Sequence, residues 1–159
     1  MSLRRKAGIK LPPSLSPVPP SAFWPSPAGG QRPAGLPAEL SFLLSYGVSL
    51  AVLRRAASEA SRQVIPPECQ LFAAGFSERY YYRCLAHWLG ADFVESGVKL
   101  GACLRYPHAI LTGLAPLESS GGRRWLAAPR GKLLAMLLTH KGSRRLAAGL
   151  SITTPSHLS

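Results

Sequence analysis

The hydrophobic positions between residues 68 and 89 form the clearest periodic pattern in the chain. Apolar residues recur there every four positions and form two neighbouring rows. The first row holds Phe72, Phe76, Tyr80, Cys84 and Trp88, and the second holds Tyr81, Leu85 and Leu89. Another face of the same stretch holds Arg79, Arg83 and His87. This spacing is typical of an amphipathic helix that packs one face against a core. The pattern predicts a helix over residues 68–89 that ends at Gly90.

A second long pattern covers residues 38–64, which follow Pro37 and contain no proline of their own. Their first half is apolar on nearly every side, and Glu39 is the single charged residue in the window 36–53. The pattern predicts one long helix in the core. Because a membrane-spanning helix needs about 20 mostly apolar residues, a marginal membrane anchor at residues 36–53 is the alternative interpretation.

Two further helices are predicted. Asp92 and Glu95 have the spacing of a capping box, and Glu95 and Lys99 have that of a helical ion pair, so we expect a helix from residue 92 that ends before Pro107. The same stretch also alternates apolar with small or polar residues, as a strand does, but the cap and the ion pair favour a helix. A last, Leu-rich helix is expected over residues 130–141.

Composition favours helices over strands in the whole chain. Leu and Ala greatly outnumber Val, Ile and Thr. Straight-chain residues and Ala prefer helices, whereas β-branched residues prefer strands. The predicted fold is therefore all-α, a small and irregular domain of three to four helices.

Prolines and charges divide the chain into five parts. Nine of the 15 prolines lie in residues 1–37, which contain no acidic residue and are expected to form a disordered basic arm. We expect the helical region to cover residues 38–117 and a flexible linker to cover residues 118–129. The C-terminal helix is expected within residues 130–142, and a disordered polar tail over residues 143–159.

The amino-terminal residues bear on location. Arg4, Arg5 and Lys6 are not followed by a long apolar region, which argues against a secretory signal. An acid-free start that is rich in Arg and Ser is also typical of a mitochondrial transit peptide. We expect an intracellular protein, with a mitochondrial location as the alternative to a plain basic arm.

Positive charge is the strongest functional feature of the composition. The chain has 19 basic and seven acidic residues, a net charge of +12 and a pI near 10.5. Such a field favours phosphate-bearing partners, either a nucleic acid or an anionic surface. The candidate nucleic-acid-binding residues are Arg79, Tyr80, Tyr81, Tyr82 and Arg83, because cations interleaved with aromatic rings suit a strand whose bases stack. The alternative is an amphipathic helix with its tyrosines in the core and its arginines in water.

Catalytic and metal-binding patterns are weak. Cys84 and His87, together with Cys103 and His108, form two Cys–His pairs of the kind that zinc sites use. Cys84 falls in the apolar row and His87 in the basic row, however, so buried reduced thiols are expected instead. The chain has one Asp, no Asn and no glycine-rich phosphate loop. We predict a non-enzymatic protein with no metal and no cofactor.

Three functional interpretations follow. The preferred one is a non-enzymatic basic protein that binds a polyanion, either nucleic acid or ribonucleoprotein, or joins a larger assembly. The second is a small membrane-associated protein anchored by residues 36–53. The third is the product of an open reading frame without a selected biochemical function, because Pro, Ala, Arg and Gly, which have GC-rich codons, dominate the composition.

Overall fold

The computed structural model describes residues 34–95, 113–117, 124–139 and 149–158. Predictions about other residues, such as the basic arm over residues 1–33, lie outside this part of the chain. In chain order the described elements are α1 (Ala38–Ser41), a 3₁₀ helix (Phe42–Tyr46), α2 (Leu50–Gln63), α3 (Pro67–Ala73), α4 (Glu78–Leu89), β1 (Asp92–Phe93), β2 (Leu114–Leu117), β3 (Arg124–Ala127), α5 (Gly131–Thr139), β4 (Leu150–Ile152) and α6 (Pro155–Leu158).

The four strands form one mixed sheet in the order β1-β4-β3-β2. β2 and β3 are antiparallel, with Ala115 opposite Leu126. β4 lies between β1 and β3 and is parallel to both, with Ser151 opposite Asp92 on one side and Leu126 on the other. Because α5 falls between β3 and β4 in the chain, it belongs to the crossover that a parallel pair requires.

The prediction of an all-α fold is wrong, because the described residues contain this sheet as well as six α-helices. Each strand has only two to four residues, which is too short for an alternating pattern to stand out. The expected helix does not begin at Asp92, since Asp92 and Phe93 form β1. Residues 96–112, over which that helix was to continue, lie outside the described ranges.

The two long predicted helices are each interrupted. Residues 38–64 form α1, the 3₁₀ helix and α2, because Gly47 turns the chain at φ 79° and Ser49 is extended. Residues 68–89 form α3 and α4, which are separated by a turn at Gly75 with φ 95°. Both glycines adopt the left-handed backbone conformation that other residues avoid, and this ends the helix at each point.

The C-terminal end of α4 and the position of α5 agree with the sequence prediction, whereas the start of α4 lies ten residues after the predicted start at residue 68. The Ser77 hydroxyl accepts a hydrogen bond of 3.2 Å from the Tyr80 amide at the start of α4. Gly90 ends the helix in the left-handed conformation at φ 69°, as predicted. α5 confirms the predicted C-terminal helix over Gly131–Thr139, and Gly142 lies outside the described residues.

Residues 36–53 belong to three elements and contribute directly to the core. Leu40, Phe42, Leu43 and Leu53 are all buried. Within the described ranges, no helix combines the length and the apolar character that crossing a bilayer requires.

α4 lies at the centre of the hydrophobic core. Tyr81, Tyr82, Leu85 and Leu89 are buried, whereas Trp88 is only half-buried. Leucines and an isoleucine from the surrounding elements pack with them, namely Leu40, Leu43, Leu53, Leu71, Leu134 and Ile152. Because these residues come from both helices and strands, the cluster joins the helices to the sheet. Burial of each such side chain contributes about 1.5–3 kcal/mol to the stability of the fold.

Candidate nucleic-acid interface

The predicted binding run lies in the first half of α4, and the fold divides it. Tyr81 and Tyr82 are fully buried. The Tyr81 hydroxyl donates a hydrogen bond of 2.6 Å to the carbonyl of Glu39, and the Tyr82 hydroxyl donates one of 2.9 Å to the carbonyl of Pro129. Burial raises the pKa of both phenols well above the ordinary value, which keeps the hydroxyls protonated as donors.

Tyr80 lies at the edge of the core. Its hydroxyl donates a long hydrogen bond of 3.4 Å to the carbonyl of Tyr46, and its ring meets Phe76 edge-on with 5.7 Å between the centroids. Burial, followed by the neighbouring Cys84, raises the pKa of Tyr80 to about 12. Stacking on nucleic-acid bases requires an accessible aromatic face, so Tyr80 is the member of the tyrosine run with a partly accessible ring.

Arg79 and Arg83 lie at the surface and share one acidic partner, Glu95. Arg79 Nε donates a hydrogen bond of 3.1 Å to Glu95 Oε1, and its Nη2 also bonds Glu95 Oε2. Arg83 Nη1 lies 3.6 Å from Glu95 Oε1, and its guanidinium lies 6.0 Å from the centroid of the Phe93 ring. The Arg79 hydrogen bond is the main cause that holds the pKa of Glu95 below its usual range.

This arrangement reduces the positive charge that the α4 surface offers to a ligand. One carboxylate between two guanidinium groups leaves a local charge of about +1, because a unit negative charge cancels one of the two cations. A phosphate that contacts Arg79 or Arg83 must compete with Glu95. The structure thus brings the two predicted arginines together and separates them from Tyr81 and Tyr82, which belong to the core.

A second group of arginines was missed as a site by the sequence analysis. Arg54 and Arg55 are exposed on α2 and form no ion pair with any described residue. Arg62, two turns further along α2, pairs with Glu59 at 3.2 Å. The available signal was the recurrence of Arg54, Ser58 and Arg62 every four residues, which places them on one face of a helix.

Cys84 and His87, one of the two predicted Cys–His pairs, are engaged in packing. Cys84 is buried, and burial raises the pKa of its thiol to about 12. His87 Nδ1 and the Tyr46 hydroxyl share a hydrogen bond of 2.7 Å. No group of three or more His, Cys, Asp and Glu side chains within the described part of the chain is placed to hold a metal ion. Cys103 and His108 lie outside the described residues.

The positive charge of the chain is unevenly distributed. The described residues include eight basic and six acidic side chains, a net charge of +2, whereas the whole chain carries +12. Most of the excess therefore belongs to residues outside the described ranges. Residues 1–37 alone contain five basic residues and no acidic residue.

Comparison of the chain with protein-family models and with curated protein sequences finds no match. The most informative observation is that Arg79 and Arg83 of α4 both pair with Glu95, whereas Arg54 and Arg55 of α2 form no ion pair with a described residue.

Proposed function

We propose that this chain is a non-enzymatic basic protein that binds a nucleic acid through contacts to its phosphates. The observation that carries the proposal is the net charge of +12, which includes an amino-terminal stretch with basic residues and no acid. A field of this size attracts phosphate-bearing partners, and neutralising phosphates releases the counterions condensed on the strand.

The side chains that could act in catalysis are buried or held in other contacts, which supports a binding role. Cys84 has a protonated, buried thiol at neutral pH, and a thiol in this form is a poor nucleophile. His87 is held against Tyr46 at the edge of the core. The acidic residues that follow α4 in the chain also have structural roles: Asp92 belongs to β1, and Glu95 pairs with Arg79 and Arg83.

The proposal is tested by measuring how salt weakens binding of the full chain to a labelled single-stranded RNA. Fluorescence anisotropy between about 50 and 200 mM salt should give a logarithm of the association constant that falls linearly with the logarithm of salt concentration. The magnitude of this negative slope should be about 0.7 for each phosphate that the protein contacts.

A charge-reversal variant in the amino-terminal stretch shows whether its basic residues contribute to RNA binding. Arg4→Glu combined with Arg5→Glu should weaken binding and lower the slope, by about 0.7 for each phosphate that is no longer neutralised. Failure of the unaltered chain to bind RNA even at about 50 mM salt would contradict the proposed function, because phosphate contacts are strongest at low salt.

A further inference from the structure

We infer that one face of α2 is the surface of the described fold that contacts the nucleic-acid phosphates. This inference rests on the proposed function and gives it a location. The surface, which we name the α2 basic face, consists of Arg54, Arg55, Ser58 and Arg62. All four residues are exposed.

The helical geometry places these side chains together. At 100° per residue, Arg54, Ser58, Arg62 and Arg55 fall within an arc of about 100°, and Arg54 and Arg62 lie about 12 Å apart along the helix axis. The opposite side of α2 carries the buried residues of the helix, namely Leu53, Ala56 and Ala60. The basic face is therefore fixed toward solvent by the burial of the other side.

The short side chains beside the arginines leave the guanidinium groups accessible. Ala51 and Ser58 are short, exposed residues within the same arc. A serine hydroxyl donates hydrogen bonds to phosphate oxygens, as arginine does, so Ser58 adds a donor between the cations. The planar guanidinium group also matches phosphate in a two-bond geometry that lysine cannot provide.

The ion pairs favour α2 over α4 as the contact surface. Arg54 and Arg55 have no acidic partner among the described residues, and the Arg62 side chain is 72% exposed although it pairs with Glu59. On α4, both Arg79 and Arg83 contact Glu95. Phosphate binding at Arg54 and Arg55 breaks no described ion pair, whereas binding at Arg79 or Arg83 competes with Glu95.

The residues of the α2 basic face favour a polyanionic strand over a lipid surface. A helix that lies on a membrane places large apolar side chains in the lipid beside its basic residues. The exposed arc of α2 instead contains the short residues Ala51 and Ser58 beside its arginines. A nucleic-acid backbone, which offers phosphate oxygens at regular intervals, matches these donors.

The test compares two double variants of the full chain that change the net charge equally. Arg54→Gln with Arg55→Gln alters the α2 basic face, and Arg79→Gln with Arg83→Gln alters the α4 surface. The α2 variant should lower the salt slope of binding to single-stranded RNA by about 1.4, the value for two phosphates that are no longer neutralised. The α4 variant should lower it by less than half as much. Urea unfolding of both variants checks that the fold is retained.

The outcomes separate failure of the inference from failure of the proposed function. Equal losses of slope in the two variants, or a larger loss in the α4 variant, would overturn the α2 assignment while leaving nucleic-acid binding intact. Absence of salt-dependent RNA binding by the unaltered chain would overturn both. Binding to phosphatidylserine vesicles that depends on Arg54 and Arg55, without binding to RNA, would assign the α2 basic face to a membrane surface instead.

Discussion

The hydroxyl of Tyr82 donates a hydrogen bond of 2.9 Å to the main-chain oxygen of Pro129 and so ties α4 to the connection between β3 and α5. Both residues are fully buried. The Tyr82 ring also lies 5.3 Å from that of Tyr81 and 6.3 Å from that of Phe72, measured between centroids. Tyr82 therefore links the helical part of the core to the strand-bearing part.

Replacement of this hydroxyl should destabilise the fold without a change in packing volume. Tyr82→Phe leaves the buried Pro129 carbonyl without this donor, so we expect a loss of about 1–3 kcal/mol in the free energy of unfolding. Urea denaturation measures the loss. Tyr80→Phe is the matched control and should lose less, because the hydrogen bond from Tyr80 to the Tyr46 carbonyl is 3.4 Å long and the residue is only half-buried. Equal losses in the two variants would contradict the linking role of Tyr82.

α4 shows how far the periodic pattern of the sequence determines the structure. The pattern predicted its type, its C-terminal end and the presence of an apolar face. It did not distinguish the two apolar rows, and the structure buries Tyr81, Leu85 and Leu89 more deeply than Tyr80 and Trp88. The reason is that a tyrosine is amphipathic, so its burial depends on whether the fold supplies a hydroxyl acceptor such as the Pro129 carbonyl.

The sheet could not be predicted from local pattern. β1 consists of Asp92 and Phe93 alone, and its partner β4 lies near the other end of the chain. β2 contains Pro116, a residue that sequence arguments place at sheet edges, and β2 is indeed an edge strand. The ion pairs of Arg79 and Arg83 with Glu95 were not predicted for a related reason. The sequence pattern assigned Glu95 to a helix, paired with Lys99, whereas the structure places it against the two arginines of α4.

A buried carboxyl group at the start of α5 provides a second stability test. Glu68 is fully buried, and its Oε1 accepts a hydrogen bond of 2.7 Å from the amide of Gly131, the first residue of α5. Its Oε2 has no hydrogen-bond partner among the described residues. Glu68→Ala removes the acceptor from the helix start and should cost about 0.5–2 kcal/mol in urea unfolding, as the loss of a helix cap does.

Glu68→Gln is the matched control for the charge. The glutamine keeps an oxygen that accepts from the Gly131 amide and removes a carboxyl group from the interior, so its effect should stay below about 1 kcal/mol. If Glu68→Gln destabilises the protein as much as Glu68→Ala, the hydrogen bond to Gly131 is not the main contribution of this residue.

The reactivity of the cysteines should follow their burial. Cys84 is buried, with a thiol pKa raised to about 12 by burial, whereas Cys69 is partly exposed. Alkylation by iodoacetamide at neutral pH, followed by mass spectrometry of the peptides, should therefore modify Cys69 well before Cys84, because the thiolate is the reactive form. Urea should remove the difference. Rapid native-state alkylation of Cys84 would show that α4 is not packed as described.

The central claim, that phosphate contact lies on α2, is tested most directly by removing one acidic residue from each candidate surface. Glu59→Gln frees Arg62 on α2, and Glu95→Gln frees Arg79 and Arg83 on α4; each change raises the net charge by one and keeps the side-chain shape. Affinity for single-stranded RNA at fixed low salt is the measurement. We predict that Glu59→Gln tightens binding by about two- to fivefold, the range expected for a surface ion pair, and more than Glu95→Gln does. A larger gain for Glu95→Gln would contradict the account and return the site to the arginines of α4.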